Sequence, residues 1–407
     1  MSRPSTSELR VALIGTGFMG RAHSHAWRTA RAFFDLPRRP RLQVVVGRDA
    51  GRTRDLADRF GWHEAQTDWR AVVERDDVDV VDICTPGDTH EPIALAALAA
   101  GKHVLCEKPL ANSVPEAERM AAAARDARTR GVLAMCGFSY RRTPALALAR
   151  RLVAEGFTGE IRHVRAQYLQ DWLSDPDAPL TWRLDATRAG SGTLGDIAAH
   201  SVDTAQWLTG SRVTDVSAVL RTFVTDRPVG GEHVGLGGRG DGGERGPVTV
   251  DDAAAFTASF DGGALGVFEA TRLATGRRNA NRIEIDGELG SIAFDYERSN
   301  ELEVYDARDD ARTQGFRRVQ VTEPVHPYMS AWWPAGHGIG YEHGFTHQVV
   351  DLVRAIADGT DPSPTFDDAL DVQRVLDAVA VSAADRSART PVARPDVARP
   401  TNEEVGA

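Results

Sequence analysis

Residues 9–20 read Leu-Arg-Val-Ala-Leu-Ile-Gly-Thr-Gly-Phe-Met-Gly, an apolar run that leads straight into a glycine pattern. The run has the character of a buried strand, and residues 18–33 behind it have the apolar spacing of a helix. A Gly-x-Gly-x-x-Gly pattern between a strand and a helix is typical of a turn that binds a dinucleotide. Gly15 permits the tight turn, Gly17 lets a pyrophosphate approach the backbone, and Gly20 lets the helix pack closely.

Short apolar runs and amphipathic stretches alternate through the first third of the chain, which predicts βαβ units around a parallel sheet. The strands are predicted over residues 9–14, 42–46, 78–84, 102–105 and 133–136. The helices are predicted over residues 18–33, 51–60, 69–75, 91–100 and 113–130. The first helix would turn its N-terminus, with Phe18 and Met19 in the first turn, toward the phosphates. The expected fold is α/β, with an N-terminal Rossmann domain over residues 1–136.

The pattern changes after residue 137, where one helix is followed mainly by alternating strands. The helix is predicted over residues 144–155, and the strands over 161–170, 213–224, 253–260, 264–271, 282–285 and 291–295. Residues 137–386 are therefore expected to form an α+β substrate domain whose last helices, 345–357 and 366–386, pack back on the body of the protein. Residues 230–246 are predicted to be a glycine-rich loop, and residues 387–407 a disordered tail.

Composition excludes several other functions. The chain has 407 residues and a net charge of −10, which opposes nucleic acid as a partner because phosphates demand clustered cations. No apolar run approaches the roughly 20 residues of a membrane helix. The N-terminus lacks the apolar core of a secretory signal, and the three cysteines are too irregularly spaced for a disulfide framework. We therefore expect a cytoplasmic protein without a membrane partner.

The second strand should end in an acidic residue if the dinucleotide is NAD, because a carboxylate binds the ribose 2′-hydroxyl. It ends instead in Val46-Gly47-Arg48-Asp49. Gly47 leaves room for a 2′-phosphate that Arg48 could pair with, which favours NADP. Alternatively, Arg48 stacks on the adenine and Asp49 turns toward the ribose, which favours NAD. The expected cofactor is therefore NAD or NADP.

Two segments carry candidate catalytic residues. Lys108 follows a parallel strand at its carboxyl end, where open α/β sheets bind ligands. Lys102 and Lys108 are the only lysines of the chain, although the rarity of lysine by itself does not establish a role. Asp196 and His200 stand four apart at the start of a predicted helix, so both can meet one ligand. The pair suits proton transfer from a hydroxyl, and it could equally only stabilise the first helical turn.

Taken together, these motifs resemble the Gfo/Idh/MocA oxidoreductase family over nearly the whole chain. The residues that carry the resemblance are Gly15, Gly17, Gly20, Thr85, Pro86, His90, Glu107, Lys108, Pro109, Tyr140, Arg141, Gly195, Asp196, His200 and Asp203. The resemblance implies a second domain with a large open, mostly antiparallel sheet that often builds homodimers or homotetramers. It also implies cofactor contacts from Thr85, Pro86, His90, Glu107 and Lys108, and a catalytic set of Lys108, Asp196 and His200. Ala198 and Ala199 depart from the common pattern, which puts only the fine shape of the pocket in doubt.

The implied reaction interconverts a secondary hydroxyl and a ketone on a cyclic polyol or sugar, such as an inositol, a pyranoside or an anhydrosugar. His200 would take the hydroxyl proton while Lys108 holds the same oxygen, and Tyr140 is the second candidate for the proton transfer. Two alternatives stay open. One is a glycosidase that uses NAD for transient oxidation at carbon 3, and the other is a catalytically inactive cofactor-binding sensor.

Sugar recognition needs aromatic faces beside hydrogen-bonding groups. Trp182 and Arg183 precede the Asp196 helix and offer both, and His337 lies in a stretch rich in tryptophan, tyrosine and histidine. We expect these three residues to contact the substrate, together with Tyr140. Because no carboxylate or cysteine completes a set with the nearby histidines, no metal site is expected.

Overall fold

The computed structural model describes residues 7–234 and 237–394. The N-terminal domain is a six-stranded sheet in the order β3-β2-β1-β4-β5-β6, with parallel pairing throughout. Its elements are β1 (Glu8–Ile14), α1 (Phe18–Phe33), β2 (Arg39–Val46), α2 (Ala50–Phe60), β3 (Glu64–Gln66), α3 (Trp69–Val73), β4 (Val80–Ile83), α4 (His90–Ala99), β5 (His103–Cys106), α5 (Val114–Thr129) and β6 (Ala134–Cys136). The predicted Rossmann architecture is confirmed.

Helix starts in this domain follow local side-chain chemistry. Ser113 and Glu116 form a reciprocal capping box at the start of α5, where Pro115 adds a preset backbone angle. Asp49 and Asp68 accept backbone N–H groups at the starts of α2 and α3. The helix α1 differs, because its N-cap is Gly17 and no side chain caps it. Its first N–H groups are therefore left for a ligand.

The C-terminal domain is built on a nine-stranded sheet in the order β18-β17-β16-β15-β7-β14-β13-β8-β19. Its elements are α6 (Pro144–Ala154), β7 (Ile161–Leu169), α7 (Ala186–Ala189), α8 (Ala199–Thr209), β8 (Val213–Arg221), β9 (Asp226–Pro228), β10 (Gly231–Val234), β11 (Gly237–Gly240), β12 (Arg245–Pro247), β13 (Ala253–Phe260), β14 (Leu265–Thr271), β15 (Ala280–Gly287), β16 (Gly290–Asp295), β17 (Glu301–Asp306), β18 (Arg317–Gln320), α9 (Tyr341–Asp358), α10 (Phe366–Ala384) and β19 (Thr390–Pro391). All neighbours are antiparallel except β7 and β14. The expected large, mostly antiparallel sheet is confirmed.

The two faces of the large sheet differ in polarity and cover. Helices α6, α8 and α10 pack on one face, where alternate residues of the strands join the main hydrophobic core. The opposite face keeps Val219, Leu265 and Val267 between 41% and 50% exposed. Such a row of apolar side chains on a broad sheet is typical of a surface that meets another protein.

The last two helices connect the domains. Helix α9 packs along α1, and its Phe345 and Val349 join a core with Leu9 and Trp27 of the Rossmann domain. Helix α10 packs against both α5 and β8. The expectation that these helices return to the body of the protein is confirmed. No helix within the described residues combines the length and apolarity needed to cross a membrane.

Two predictions about irregular segments are wrong within the described residues. The glycine-rich stretch 230–246 is not a structureless loop, because β10 pairs with β11 and β12 pairs with β9. Glycine there allows backbones to approach closely: a side chain at Gly240 would clash with Pro228 at 2.5 Å. The disordered tail is predicted to begin at residue 387, but Thr390 and Pro391 are ordered and pair with β8. Residues 235–236 and 395–407 lie outside the part that the structure describes.

Candidate active site

The glycine turn after β1 has the geometry that a dinucleotide site requires. Gly15 has φ +120°, and a Cβ there would lie 2.5 Å from the carbonyl oxygen of Cys84. A Cβ at Gly20 would lie 2.0 Å from the carbonyl oxygen of Gly15, so only glycine lets α1 pack this closely. A Cβ at Gly17 would meet no described atom within 4 Å. The open space at Gly17, beside the uncapped start of α1, fits a pyrophosphate.

The first turn of α1 contributes an aromatic pair beside this opening. Phe18 is 46% exposed and stacks on Tyr341 of α9, with ring centroids 5.9 Å apart. The sulfur of Met19 lies 4.0 Å from the Tyr341 hydroxyl. The predicted cofactor residues Phe18 and Met19 are thus placed at the junction between the Rossmann domain and the C-terminal helices.

The end of β2 carries the residues on which the choice between NAD and NADP depends. A Cβ at Gly47 would lie 2.5 Å from Thr16 and from Thr53, so this glycine is required by internal packing. The Asp49 carboxylate accepts the backbone N–H of Arg52 at 3.0 Å through Oδ1 and caps α2. Arg48 is exposed and makes no ion pair within residues 7–234 and 237–394. Its guanidinium is available for an adenine ring or a 2′-phosphate.

His90 supports the loop after β4 from the interior. It is 1% exposed, and its ring nitrogens lie 2.9 Å from the carbonyl oxygen of Thr85 and 3.0 Å from that of Pro109. The ring therefore has almost no surface to offer a cofactor, and the direct contact of His90 with the cofactor stays a prediction. Thr85 and Pro86 lie on the more exposed side of the same loop.

Lys108 lies at the carboxyl end of β5, as predicted. Its ammonium nitrogen donates to the carbonyl oxygen of Asp196 at 2.5 Å and to Oδ1 of the same residue at 3.3 Å. An ammonium has three N–H groups, so one remains for a substrate oxygen. The neighbouring Glu107 is 4% exposed and accepts the Lys108 backbone N–H at 3.3 Å. The structure therefore places Glu107 behind the lysine, with almost no surface for a cofactor.

Asp196 is the electrostatic centre of the candidate site. It lies in a π-helical turn, Leu194–Ala198, which interrupts the expected α-helix just before α8. Such turns occur preferentially at functional sites. Its Oδ2 lies 3.2 Å from the fully buried guanidinium of Arg272. Burial disfavours the charge, but Lys108, Arg272 and Arg183 outweigh burial and hold the pKa of Asp196 well below its ordinary value. The carboxylate is therefore ionised and acts as an acceptor.

His200 lies in an aromatic enclosure next to Asp196. The imidazole is 7% exposed, and the rings of Tyr140, Phe138 and Tyr168 lie 4.7, 5.8 and 6.0 Å from it. Neither ring nitrogen has a hydrogen-bond partner within the described chain, and Nδ1 is buried. Burial and the charge of Lys108 lower the pKa of His200 well below its ordinary value, with Asp196 opposing. The ring is therefore neutral and free to accept a proton.

Tyr140 belongs to a chain of hydrogen-bonded side chains that lines the same region. Its hydroxyl lies 2.6 Å from the hydroxyl of Tyr168, which donates to Asn279 at 2.8 Å. Gln170 donates to the same Asn279 oxygen at 2.9 Å and accepts the indole N–H of Trp172 at 2.9 Å. Burial raises the pKa of Tyr140, so its hydroxyl stays protonated. This series of hydrogen-bonded side chains offers fixed polar groups to a hydroxyl-rich ligand.

The remaining predicted substrate residues are divided between two places. Arg183 stacks over the Trp182 ring at 4.5 Å. Burial lowers the pKa of Arg183, and the negative charge of Asp196 opposes that shift. Arg183 therefore lies close enough to Asp196 for the two charges to interact. His337 is exposed, and its Nδ1 lies 2.9 Å from the carbonyl oxygen of Pro334 in a surface loop. The structure brings Trp182 and Arg183 to the site and does not join His337 to it within this chain.

One group of possible metal ligands lies outside the predicted site. His23, Asp82 and Cys84 offer ligand atoms within 4.8 Å of one another. However, Asp82 already accepts from His23 at 2.9 Å and from the Trp27 indole at 2.7 Å. Burial raises the pKa of the Cys84 thiol, which keeps it protonated and a poor ligand. The geometry is that of a hydrogen-bonded ion pair.

Two residues of the site escaped the sequence analysis. Arg272 follows β14 directly and reaches Asp196 because the π-helical turn Leu194–Ala198 packs against β14. Tyr168, near the end of β7, joins Tyr140 to Asn279. No motif marks either residue. The only signal for Arg272 would have been a charged residue directly after a predicted strand.

A dinucleotide turn connected to a lysine, an ionised carboxylate and a neutral imidazole defines a nicotinamide-dependent oxidoreductase. Comparison with known proteins agrees. Residues 9–136 match the model of the oxidoreductase family with an NAD-binding Rossmann fold, and residues 146–293 match the GFO/IDH/MocA C-terminal domain. The chain belongs to the Gfo/Idh/MocA oxidoreductase family.

Several relatives cover almost the whole chain. Levoglucosan dehydrogenase of Pseudarthrobacter phenanthrenivorans is 44% identical over 93% of this chain and 97% of its own length. An oxidoreductase domain protein from Kribbella flavida is 60% identical, with a TM-score of 0.91 over 95% of this chain and 100% of its own. A levoglucosan dehydrogenase complex with NADH and levoglucosan is 42% identical, with a TM-score of 0.89 over 95% of this chain and 100% of that one.

Proposed function

We propose that this protein oxidises a secondary hydroxyl of a cyclic sugar or anhydrosugar of the levoglucosan type, with NAD as the hydride acceptor. The observation that carries the proposal is the grouping of Lys108, Asp196 and His200 with a free N–H, an ionised carboxylate and an unpartnered neutral imidazole. The similarity to levoglucosan dehydrogenase over 97% of that protein supports the substrate class.

Each of the three side chains has a distinct role in this proposal. His200 accepts the hydroxyl proton, because its lowered pKa keeps the ring neutral and its nitrogens have no hydrogen-bond partner in the described chain. Lys108 donates its remaining N–H to the same oxygen and stabilises the negative charge that grows there. Asp196 orients the lysine and accepts a hydrogen bond from a second hydroxyl. The nicotinamide, when bound, supplies the acceptor for the hydride, and the protein residues supply orientation and proton transfer.

The groups around this triad suit a rigid ring with several hydroxyls. Trp182 and Trp172 offer aromatic rings, the Arg183 guanidinium offers donors beside the first, and Gln170 accepts the indole N–H of the second. A sugar ring packs its C–H surface on an aromatic side chain and exchanges hydrogen bonds at its edge. Together these residues favour a cyclic polyol over a linear or strongly apolar alcohol.

A substrate panel tests the proposal directly. The purified protein would be incubated with levoglucosan, inositols, monosaccharides and simple glycosides, each with NAD and with NADP, and reduced nicotinamide would be followed by absorbance. We expect levoglucosan or a close pyranoside to give the highest kcat/KM, and the ratio of rates with the two cofactors to report the contribution of Arg48. Cleavage of a glycoside without net reduction of NAD would contradict the proposal. The absence of nicotinamide reduction with every substrate of the panel would contradict it as well.

The pH dependence of the reaction should reflect the environment of His200. A proton acceptor with an ordinary imidazole pKa would be only about one-tenth neutral a full unit below that pKa, near pH 5.5. Because burial and Lys108 lower the pKa of His200, we expect kcat/KM at pH 5.5 to stay within about twofold of its value at pH 7.5. Initial rates in buffers of constant ionic strength would measure this, and an acid limb centred near pH 6.5 would contradict it.

Two further expectations stay proposals. The exposed apolar row of Val219, Leu265 and Val267 on the open face of the large sheet supports assembly into a homodimer or homotetramer. A cytoplasmic location is supported by the three cysteines, Cys84, Cys106 and Cys136, which are free and buried.

A further inference from the structure

A charged network lies beneath the catalytic lysine and has no part in the mechanism above. His23 of α1 is 1% exposed, with Nδ1 2.9 Å from Asp82 at the end of β4 and Nε2 3.0 Å from Glu107 at the end of β5. The indole of Trp27, one turn further along α1, also donates to Asp82. One imidazole thus bridges two buried carboxylates on neighbouring strands.

Hydrogen bonding to both carboxylates requires a charged ring. A neutral imidazole has one N–H, so it can donate to only one of the two acceptors, whereas an imidazolium donates to both. Burial opposes the charge, but Asp82 and Cys84 together outweigh burial and raise the pKa of His23 well above its ordinary value. Loss of this ring would leave Asp82 and Glu107 as two buried charges without their shared partner.

The contacts of Glu107 connect this network to Lys108. Its Oε1 binds His23, and its Oε2 accepts the backbone N–H of Lys108 at 3.3 Å. A Cβ at Gly137 would lie 2.7 Å from Oε1, so the carboxylate fills a fitted space. The position of the Lys108 backbone is therefore set by a carboxylate that His23 holds.

The His23 ring also connects the pyrophosphate turn at the start of α1 to the region of Lys108. Helix α1 begins at the pyrophosphate turn, and His23 lies six residues beyond Gly17, about 9 Å along the helix. In the proposed mechanism, Lys108 contacts the reacting substrate oxygen. We propose that His23 is a positioning residue, which fixes Lys108 relative to the phosphate-binding end of α1 through Glu107. This inference rests on the proposed role of Lys108.

The test compares His23→Asn and Glu107→Gln with His103→Asn as a matched control. His103 is a partly buried histidine at the far end of β5, where it accepts the Leu133 N–H at 3.0 Å. We expect either substitution in the network to lower kcat about 10- to 100-fold with little change in KM, because a small displacement of a catalytic group has effects of this size. The double variant should lose about as much kcat as the more impaired of the two single variants, because both substitutions break the same linkage. His103→Asn should lower Tm only.

A second measurement needs no substrate and separates this inference from the proposed function. Lys102 and Lys108 are the only lysines, so acetylation of each can be followed by mass spectrometry in the folded protein. We expect His23→Asn and Glu107→Gln to raise the ratio of Lys108 to Lys102 modification about threefold or more, because a released side chain reacts faster. An unchanged ratio, or full kcat with a Tm loss like that of His103→Asn, would overturn the inference. An inactive wild type would refute only the proposed function.

Discussion

Replacing Lys108 by methionine is expected to lower kcat/KM for the best sugar substrate about 10²- to 10³-fold, the usual effect of removing one donor from a developing negative charge. Methionine keeps the unbranched side chain out to the ε position and removes the ammonium that contacts Asp196 at 2.5 and 3.3 Å. The expected loss comes from the substrate oxygen, which loses its donor. The pKa of His200 would rise, because Lys108 is one of the causes that lower it, and this change alone would not remove the proton acceptor. Steady-state reduction of NAD measures the result.

The chain offers an unusually clean control for this substitution. Lys102 stands at the opposite end of β5, where its ammonium donates to the carbonyl oxygen of Arg75 at 2.6 Å. Lys102→Met removes the same charge from the same strand away from the site, so we expect some loss of Tm and an unchanged kcat/KM. If Lys108→Met kept more than about a tenth of the wild-type activity, the lysine would not hold the reacting oxygen.

Much of the N-terminal domain could be predicted from sequence because its information is local. Alternating β and α segments allow few topologies, and the glycine turn at Gly15 fixes where the ligand lies. The second domain was less predictable. Helix α9 completes the core beside α1, a contact between residues more than 300 positions apart. The pairs β10–β11 and β9–β12 arise in a segment whose glycine content indicated a loop.

The candidate site divides in the same way. Lys108, Asp196 and His200 stand in recognisable motifs, and the structure brings them together. Arg272 has no motif, because its contact with Asp196 depends on the packing of the π-helical turn against β14, which only the fold creates. His90 is the opposite case, a residue that a motif marks although its side chain is buried. Sequence marks the residue, but only the coordinates reveal that its ring faces two backbone carbonyls.

The identity of the proton acceptor is decided by comparing His200→Ala with Tyr140→Phe. We expect His200→Ala to lower kcat about 10²- to 10⁴-fold, the range typical for loss of a general base. Tyr140→Phe should cost less than about tenfold, because burial raises the pKa of Tyr140 and its hydroxyl already shares a hydrogen bond with Tyr168. A phenol with a raised pKa is a poor acceptor at neutral pH. Both variants would be assayed at saturating NAD and sugar.

Chemical rescue makes the comparison sharper. The alanine variant leaves a ring-sized space among Phe138, Tyr140 and Tyr168, which now enclose the imidazole. Added imidazole should enter this aromatic space and restore part of kcat in His200→Ala, with a pH dependence that follows the free base. It should do nothing for Tyr140→Phe. Rescue that fails in the first variant, together with a large loss in the second, would move the proton transfer to the tyrosine pair and leave His200 as a packing residue.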